Sequence, residues 1–227
     1  MVPGPPESND PRAAEGVRLR PEELRPEELR AEELRREDYP AREFLRTRRM
    51  LLREFGYRHM IDLLALGREE RITRWLLDGP LRTPADVVAL VVVANRLYVE
   101  QPGLGYWHAS SQDKGFIGLF SLTPQAGSDA VGIGARLLPR AWGGGYALEG
   151  GAALCEHAFA TLRAPAVVGL CDPRNRSVPP LLARLGFAAD GYGEQFGKPA
   201  LRFVLRRDHW HGARDRRDRV DQGGAGE

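Results

Sequence analysis

The spacing of apolar residues changes along this chain, and each change marks an element. Leu148, Ala152, Cys155 and Phe159 recur at helical period, while Glu149 and Glu156 fall on another face. Met60, Ile61, Leu63, Leu64, Ile72, Trp75 and Leu76 predict one or two helices ending near Gly79-Pro80. Thr83-Pro84-Ala85-Asp86 reads as an N-cap, a proline at the first helical position and an acid in the first turn, opening a helix to about Tyr98. Its Val87, Val88, Val91 and Val92 also suit a strand; length and cap decide for helix. Strand runs follow at 106–110, at 116–122 (interrupted by Gly118), and at 131–138, 166–171 and 201–206. Between the last two, Val178, Leu181, Leu182 and Leu185 form a short helical stripe, closed by Gly186 where a C-cap glycine belongs.

The ends of the chain read differently. Residues 20–38 repeat Arg-Pro-Glu-Glu-Leu and its variants. Five residues advance a helix by about 500°, so Leu24, Leu29 and Leu34 scatter around the axis, and Pro26 breaks the first half. Residues 1–45 are therefore expected to be an extension that is flexible or forms a solvated helix. The domain proper is expected over 46–210, and 211–227, alternating Arg with Asp, is expected to be disordered.

The chemistry concentrates between Val131 and Phe159. A strand runs into Pro139-Arg140-Ala141-Trp142-Gly143-Gly144-Gly145-Tyr146-Ala147 and then into the helix above. Three glycines there either make a flexible turn or leave amide N–H groups facing outward at a helix N-terminus, which suits a phosphate. The dinucleotide fingerprint G-x-G-x-x-G fails because Leu148 stands where its last glycine is needed, and no Gly-Lys-Ser/Thr of a P-loop occurs. The pattern R/Q-x-x-G-x-G/A remains, from Arg140 to Gly145 or, with an aromatic first, from Trp142 to Ala147. The second register puts Gly145-Tyr146-Ala147 at the helix start, where the donors are needed.

On these residues the chain resembles the GNAT superfamily of acetyl-CoA-dependent N-acetyltransferases, most of all the branch that acetylates ribosomal-protein N-termini. Asn175 to Phe187 resembles the family's N-x-x-S…LGF element, residues 45–53 its first strand, and Gly103 to Trp107 the start of its second. The resemblance implies an α/β fold, a mixed, mostly antiparallel sheet flanked by helices and splayed at the acetyl-CoA site. It also implies that Gly143, Gly144, Gly145, Tyr146 and Ala147 hold the pyrophosphate with Trp142 or Arg140. Backbone groups of Leu137 and Leu138 would bind the pantetheine arm, and Asn175 would hydrogen-bond the cofactor. Arg140, Arg174 and Arg176 are either phosphate contacts or surface charge. His108 and Tyr192 either line the acceptor pocket or occupy ordinary strand and loop positions.

Two departures bear on catalysis. Gly132 stands where the family often has an acid, and Val178 where it has the Ser of N-x-x-S. Asp129 and Ser177 are the catalytic candidates left nearby. Were Ser177 the N-cap of its helix, the hydroxyl would find no donors at Pro179 and Pro180, which carry no N–H. The expected function is acetyl transfer to a primary amine, on a small molecule or a protein N-terminus, by direct attack on the thioester. The alternative is a non-catalytic acyl-CoA-binding module.

Composition narrows the remaining classes. With 227 residues, 42% hydrophobic, the chain holds one sizeable core, and a net charge of +2 with both signs interleaved gives no footprint for nucleic acid. Two cysteines, Cys155 and Cys171, fall in apolar runs and read as reduced thiols; no H-E-x-x-H or C-x-x-C supports a metal. No apolar run approaches the ~18–20 residues of a membrane span, and residues 1–20 contain no signal-peptide core. A cytoplasmic monomer or homodimer is expected.

Overall fold

The run 45–53 folds as a hairpin rather than as one strand, β1 (Glu43–Arg46) and β2 (Met50–Glu54). Thr47 closes the turn: its N–H donates to the Met50 carbonyl at 2.9 Å and its hydroxyl accepts from the Met50 N–H at 3.0 Å. The computed structural model describes residues 41–212. The pentapeptide arm and nearly all of the C-terminal tail, with the expectations attached to them, lie outside those residues.

Helices α1 (Met60–Arg68) and α2 (Glu70–Thr73) precede α3 (Pro84–Glu100). The predicted cap of α3 is a reciprocal box, in which the Thr83 hydroxyl accepts from Asp86 N–H at 3.2 Å and the Asp86 carboxylate from Thr83 N–H at 2.8 Å. Next come β3 (Gly105–Ser111), β4 (Gly115–Gln125), β5 (Ser128–Leu137), α4 (Tyr146–Ala160), β6 (Ala166–Cys171), α5 (Val178–Arg184), β7 (Ala188–Gln195) and β8 (Lys198–Arg206). β7 was not legible as a strand. All its residues except Gln195 are exposed, so it carries no apolar alternation and is held by its pairing with β8.

The eight strands form one sheet in the order β1-β2-β3-β4-β5-β6-β8-β7, antiparallel everywhere except between β5 and β6. Leu63, Leu66, Val87 and Val91 of α1 and α3 pack with Tyr106 and Leu119 of the sheet. On the opposite face Leu154, Cys155 and Ala158 of α4 pack with Trp107, Phe120 and Leu122. The helix comes close enough there that a Cβ on Gly150 would lie 2.3 Å from the Phe120 ring. Both cysteines are buried and neither is in a disulfide. The chain thus has the expected mixed, mostly antiparallel sheet flanked by helices.

Candidate active site

The site begins where the sheet comes apart. β5 pairs with β6 only at Val131, Gly132 and Ile133, opposite Val167, Val168 and Gly169. Beyond that point β5 follows β4 through Leu137, while β6 follows β8 through Cys171. Two strands that each continue with a different partner leave a gap in the sheet and an unpaired edge on β5 at 134–136. A cavity of about 1160 Å³ occupies the gap and reaches from the first turn of α4 to Tyr106 and Ser121 on the α1–α3 side of the sheet.

At one end stands the glycine loop. Pro139–Ala141 form a 3-10 turn, and Gly145 is the N-cap of α4 in the left-handed region, φ 76°. Glu149 N–H makes the first intrahelical bond, to the Gly145 carbonyl at 3.0 Å, so Tyr146, Ala147 and Leu148 supply the unclaimed donors of the first turn. The loop is braced from behind. Arg49 donates to the Gly144 carbonyl at 2.8 Å and to Glu149 at 2.6 Å, and the Thr47 hydroxyl donates to Glu149 at 2.6 Å. Burial pushes the Glu149 carboxyl up, but the bonds from Thr47 and Arg49 outweigh it and leave the group below its ordinary value. Glu149, on the helix face away from the apolar stripe, therefore ties the glycine loop to the β1–β2 turn.

At the other end is a polar row that no sequence motif marked. Tyr106, Ser121 and Gly134 are register partners on β3, β4 and β5, and Thr123 faces Gly132. A Cβ on Gly134 would lie 2.6 Å from the Ser121 hydroxyl, and one on Gly132 would lie 2.4 Å from the Gln125 amide nitrogen. Side chains of β4 thus fill the space that an acid at 132 would need. Tyr106 and Ser121 are buried, with 9% and 8% exposure, line the cavity, and hydrogen-bond through their hydroxyls to none of the described residues. Burial, with Asp78 close by, pushes the Tyr106 phenol up to about 12, so it stays protonated. Asp78 is ion-paired with Arg136 at the cavity wall.

The sequence matches the acetyltransferase (GNAT) domain family over residues 49–188, more than half of the chain. The chain belongs to the GNAT acetyltransferase family. It is similar to the FsC-acetyl coenzyme A-N(2)-transacetylase of Aspergillus fumigatus, 22% identical over 186 residues that cover 75% of this chain and 79% of that protein. Its fold is similar to RimJ from Mycobacterium smegmatis, solved with CoA-disulfide, at TM-score 0.62 and 15% identity over 76% of this chain and 89% of that one. Spermidine N-acetyltransferase from Vibrio cholerae, solved with CoA and spermine, superposes at TM-score 0.59 and 14% identity over 71% and 97%.

Family membership makes this GNAT protein an N-acetyltransferase, and the family draws its acetyl group from acetyl-CoA. The residues present fit that co-substrate: outward amides at the start of α4 suit its pyrophosphate, and the unpaired edge of β5 suits an extended amide-bearing arm. Among the described residues no group of three or more His, Cys, Asp or Glu is placed to hold a metal, and no helix is long and apolar enough to cross a membrane.

Leu137, Trp142, Gly143, Gly144, Gly145, Tyr146, Ala147, Asn175 and Ser177 all line the cavity of this GNAT transferase. Three other candidates do not. Arg140 is turned away and donates to the Phe116 carbonyl. Leu138 spends its backbone groups on Ile117 and Ala141, and even the Leu137 carbonyl is taken, by the Trp142 indole N–H at 2.7 Å. Asp129 sits at the exposed start of β5, roughly 17 Å from Gly134 at strand rise, so the structure does not bring it to the cavity. Ser177 makes no cap bond, as the prolines require, and its hydroxyl donates to Asn175 Oδ1 at 2.6 Å.

Of the arginines after β6, Arg174 and Arg176 line the cavity. Arg174 is also bound to Asp172, whose carboxyl it holds down at about 2. His108 is bonded to Asp62 at 2.9 Å outside the cavity, and Tyr192 is 79% exposed.

Proposed function

We propose that this chain transfers the acetyl group of acetyl-CoA directly to a primary amine, on a small molecule or a protein N-terminus. The observation that carries the reading is the parting of β5 from β6 beside an anion-binding helix start. Two proteins of similar fold were solved with CoA or CoA-disulfide bound, which supports CoA as the ligand. In this reading Gly143, Gly144, Gly145, Tyr146 and Ala147, with Trp142, hold the pyrophosphate, and Leu137 and Asn175 border the arm. When bound, acetyl-CoA supplies a thioester carbonyl for the amine to attack.

The protein's own contribution is mostly positional. An amide N–H on the unpaired edge of β5 stabilises negative charge on the carbonyl oxygen; removing one such donor in other enzymes costs about 3–4 kcal/mol of barrier. Proton removal has no dedicated carboxylate at 132, and Asp129 is distant. An amine that is already partly neutral fits such a site best, and an α-amine with pKa near ~7.7–8.0 qualifies where a lysine-like amine near ~10.4 does not. Ser177 is the candidate donor to the departing sulfur, a role for which its hydroxyl proton must leave Asn175 Oδ1, to which it is donated at 2.6 Å. The test is thiol release from acetyl-CoA over a panel of primary amines and N-terminal peptides. Release with at least one acceptor is expected; CoA binding with no release from any would replace the transferase reading by that of a binding module.

A further inference from the structure

The charge of the cavity wall restricts what the acceptor can be. Its lining residues include six arginines, at 71, 74, 136, 174, 176 and 184, and a single carboxylate, Asp78, which is engaged by Arg136. Arg71 and Arg174 have carboxylate partners in Glu69 and Asp172. Arg176 lies between Asn175 and Ser177, on the side assigned to the cofactor. Arg74 is different: it lies on the segment that runs from Arg71, over the Trp142 ring at 5.7 Å, to Asp78, paired with Arg136; its guanidinium is 4.9 Å from the centre of the Trp75 ring, and it has no carboxylate partner among the described residues. Stacking on an indole leaves the edge of a guanidinium, with its N–H fork, available to an incoming anion.

The cavity is also lined by Tyr106, with Asp78 close by, and by Ser121, whose hydroxyls bond to none of the described residues. Hydroxyls that face a cavity without a protein partner are open to hydrogen bonds from a molecule bound there. Neutral oxygens at Ser121, Thr123 and Gln125 can accept from an amine N–H. A polyamine, by contrast, would bring several cations to a wall whose one carboxylate among the described residues is already paired.

On the reading that this site acetylates amines, we infer that its acceptor carries an anionic group: an amino acid, or a peptide N-terminus with a nearby carboxylate. The anion sits against Arg74, the body of the molecule lies along Trp75 and Leu76, and the amine reaches the hydroxyl row beside Gly134.

The experiment compares acceptors with and without the carboxylate, tyrosine with tyramine and lysine with cadaverine, and adds spermidine. Because losing the carboxylate also makes the amine more basic, the change of each ratio in Arg74→Gln is what reads carboxylate recognition. Thiol release at saturating acetyl-CoA gives kcat/KM for each. The carboxylate-bearing member of each pair is expected to be preferred by about tenfold, the low end for a hydrogen bond to a charged group. Arg74→Gln should shrink that ratio through KM, and Arg74→Lys should keep part of it. The ratio is taken within one variant, so it does not depend on how much of that variant is folded. Preference for tyramine, cadaverine or spermidine, or an unchanged ratio in Arg74→Gln, would overturn the inference while leaving amine acetylation intact. Absence of release from every acceptor would overturn the transferase reading, and this inference with it.

Discussion

Replacing Gly145 tests the anion loop at its most constrained point. The residue caps α4 at φ 76° and ψ 3°, and an L-residue held in that left-handed region costs about 1–2 kcal/mol. For a domain of this size each kcal/mol shifts the melting temperature by about 2–4 °C, so Gly145→Ala should melt about 2–8 °C lower with the fold retained. The added Cβ would also stand 3.3 Å from Arg49 Nη2, disturbing the guanidinium that braces Gly144 and Glu149. Valine adds branching at a backbone angle that branched residues avoid, so Gly145→Val should leave the left-handed region and turn the Tyr146 and Ala147 amides off the phosphate. Loss of one charge-assisted hydrogen bond is worth about 1.5–3 kcal/mol, or roughly tenfold to a hundredfold in CoA affinity. Calorimetric titration with CoA, beside thermal melts, reads both effects. Gly56→Ala is the control, because Gly56 has φ −135° and open space around it, and both readouts should stay near wild type. CoA affinity unchanged in Gly145→Val would refute the assignment of the loop.

Three further expectations follow from the site and the core. Gly132→Glu, which places an acid at the family's position, brings its Cβ within 3.0 Å of the Thr123 hydroxyl and into the space of Gln125; it should cost about 1–3 kcal/mol by thermal melt, and adding Gln125→Ala should recover part of that. Asp129→Asn and Ser177→Ala should each lower turnover by less than the ~10²–10⁴-fold of a true general acid or base, and a larger loss at unchanged CoA affinity would mark a dedicated proton-transfer residue. Burial, then the neighbouring His108, lowers His59 from 6.5 to about 4, and burial also lowers His108 and His157. Folded values below unfolded ones mean stability that is complete above about pH 6.5 and is lost as pH falls towards 4; the melting temperature should drop across that window, and less so in His59→Asn. Asp172, held at about 2, contributes its own loss only below about pH 4.

The sequence alone determined what depends on neighbours along the chain. The stripe of α4, the Thr83–Asp86 box, the missing cap bond at Ser177 and the glycines before Tyr146 are local, because caps and helical faces are set by residues three or four apart. Most of the glycine-loop end of the cavity was legible for that reason. The tertiary structure decided what depends on pairing. β5 and β6 part because each goes on with a different neighbour, and the turn at 47–49 appears only once β1 folds back on β2. Glu149 finds Thr47 and Arg49 about a hundred positions away. Ser121, Thr123 and Gln125 form a polar row only because β4 is paired with a strand that has glycines at 132 and 134. Alternation along a strand says which residues share a face, but register alone says what stands opposite them, and here register is set by contacts between strands.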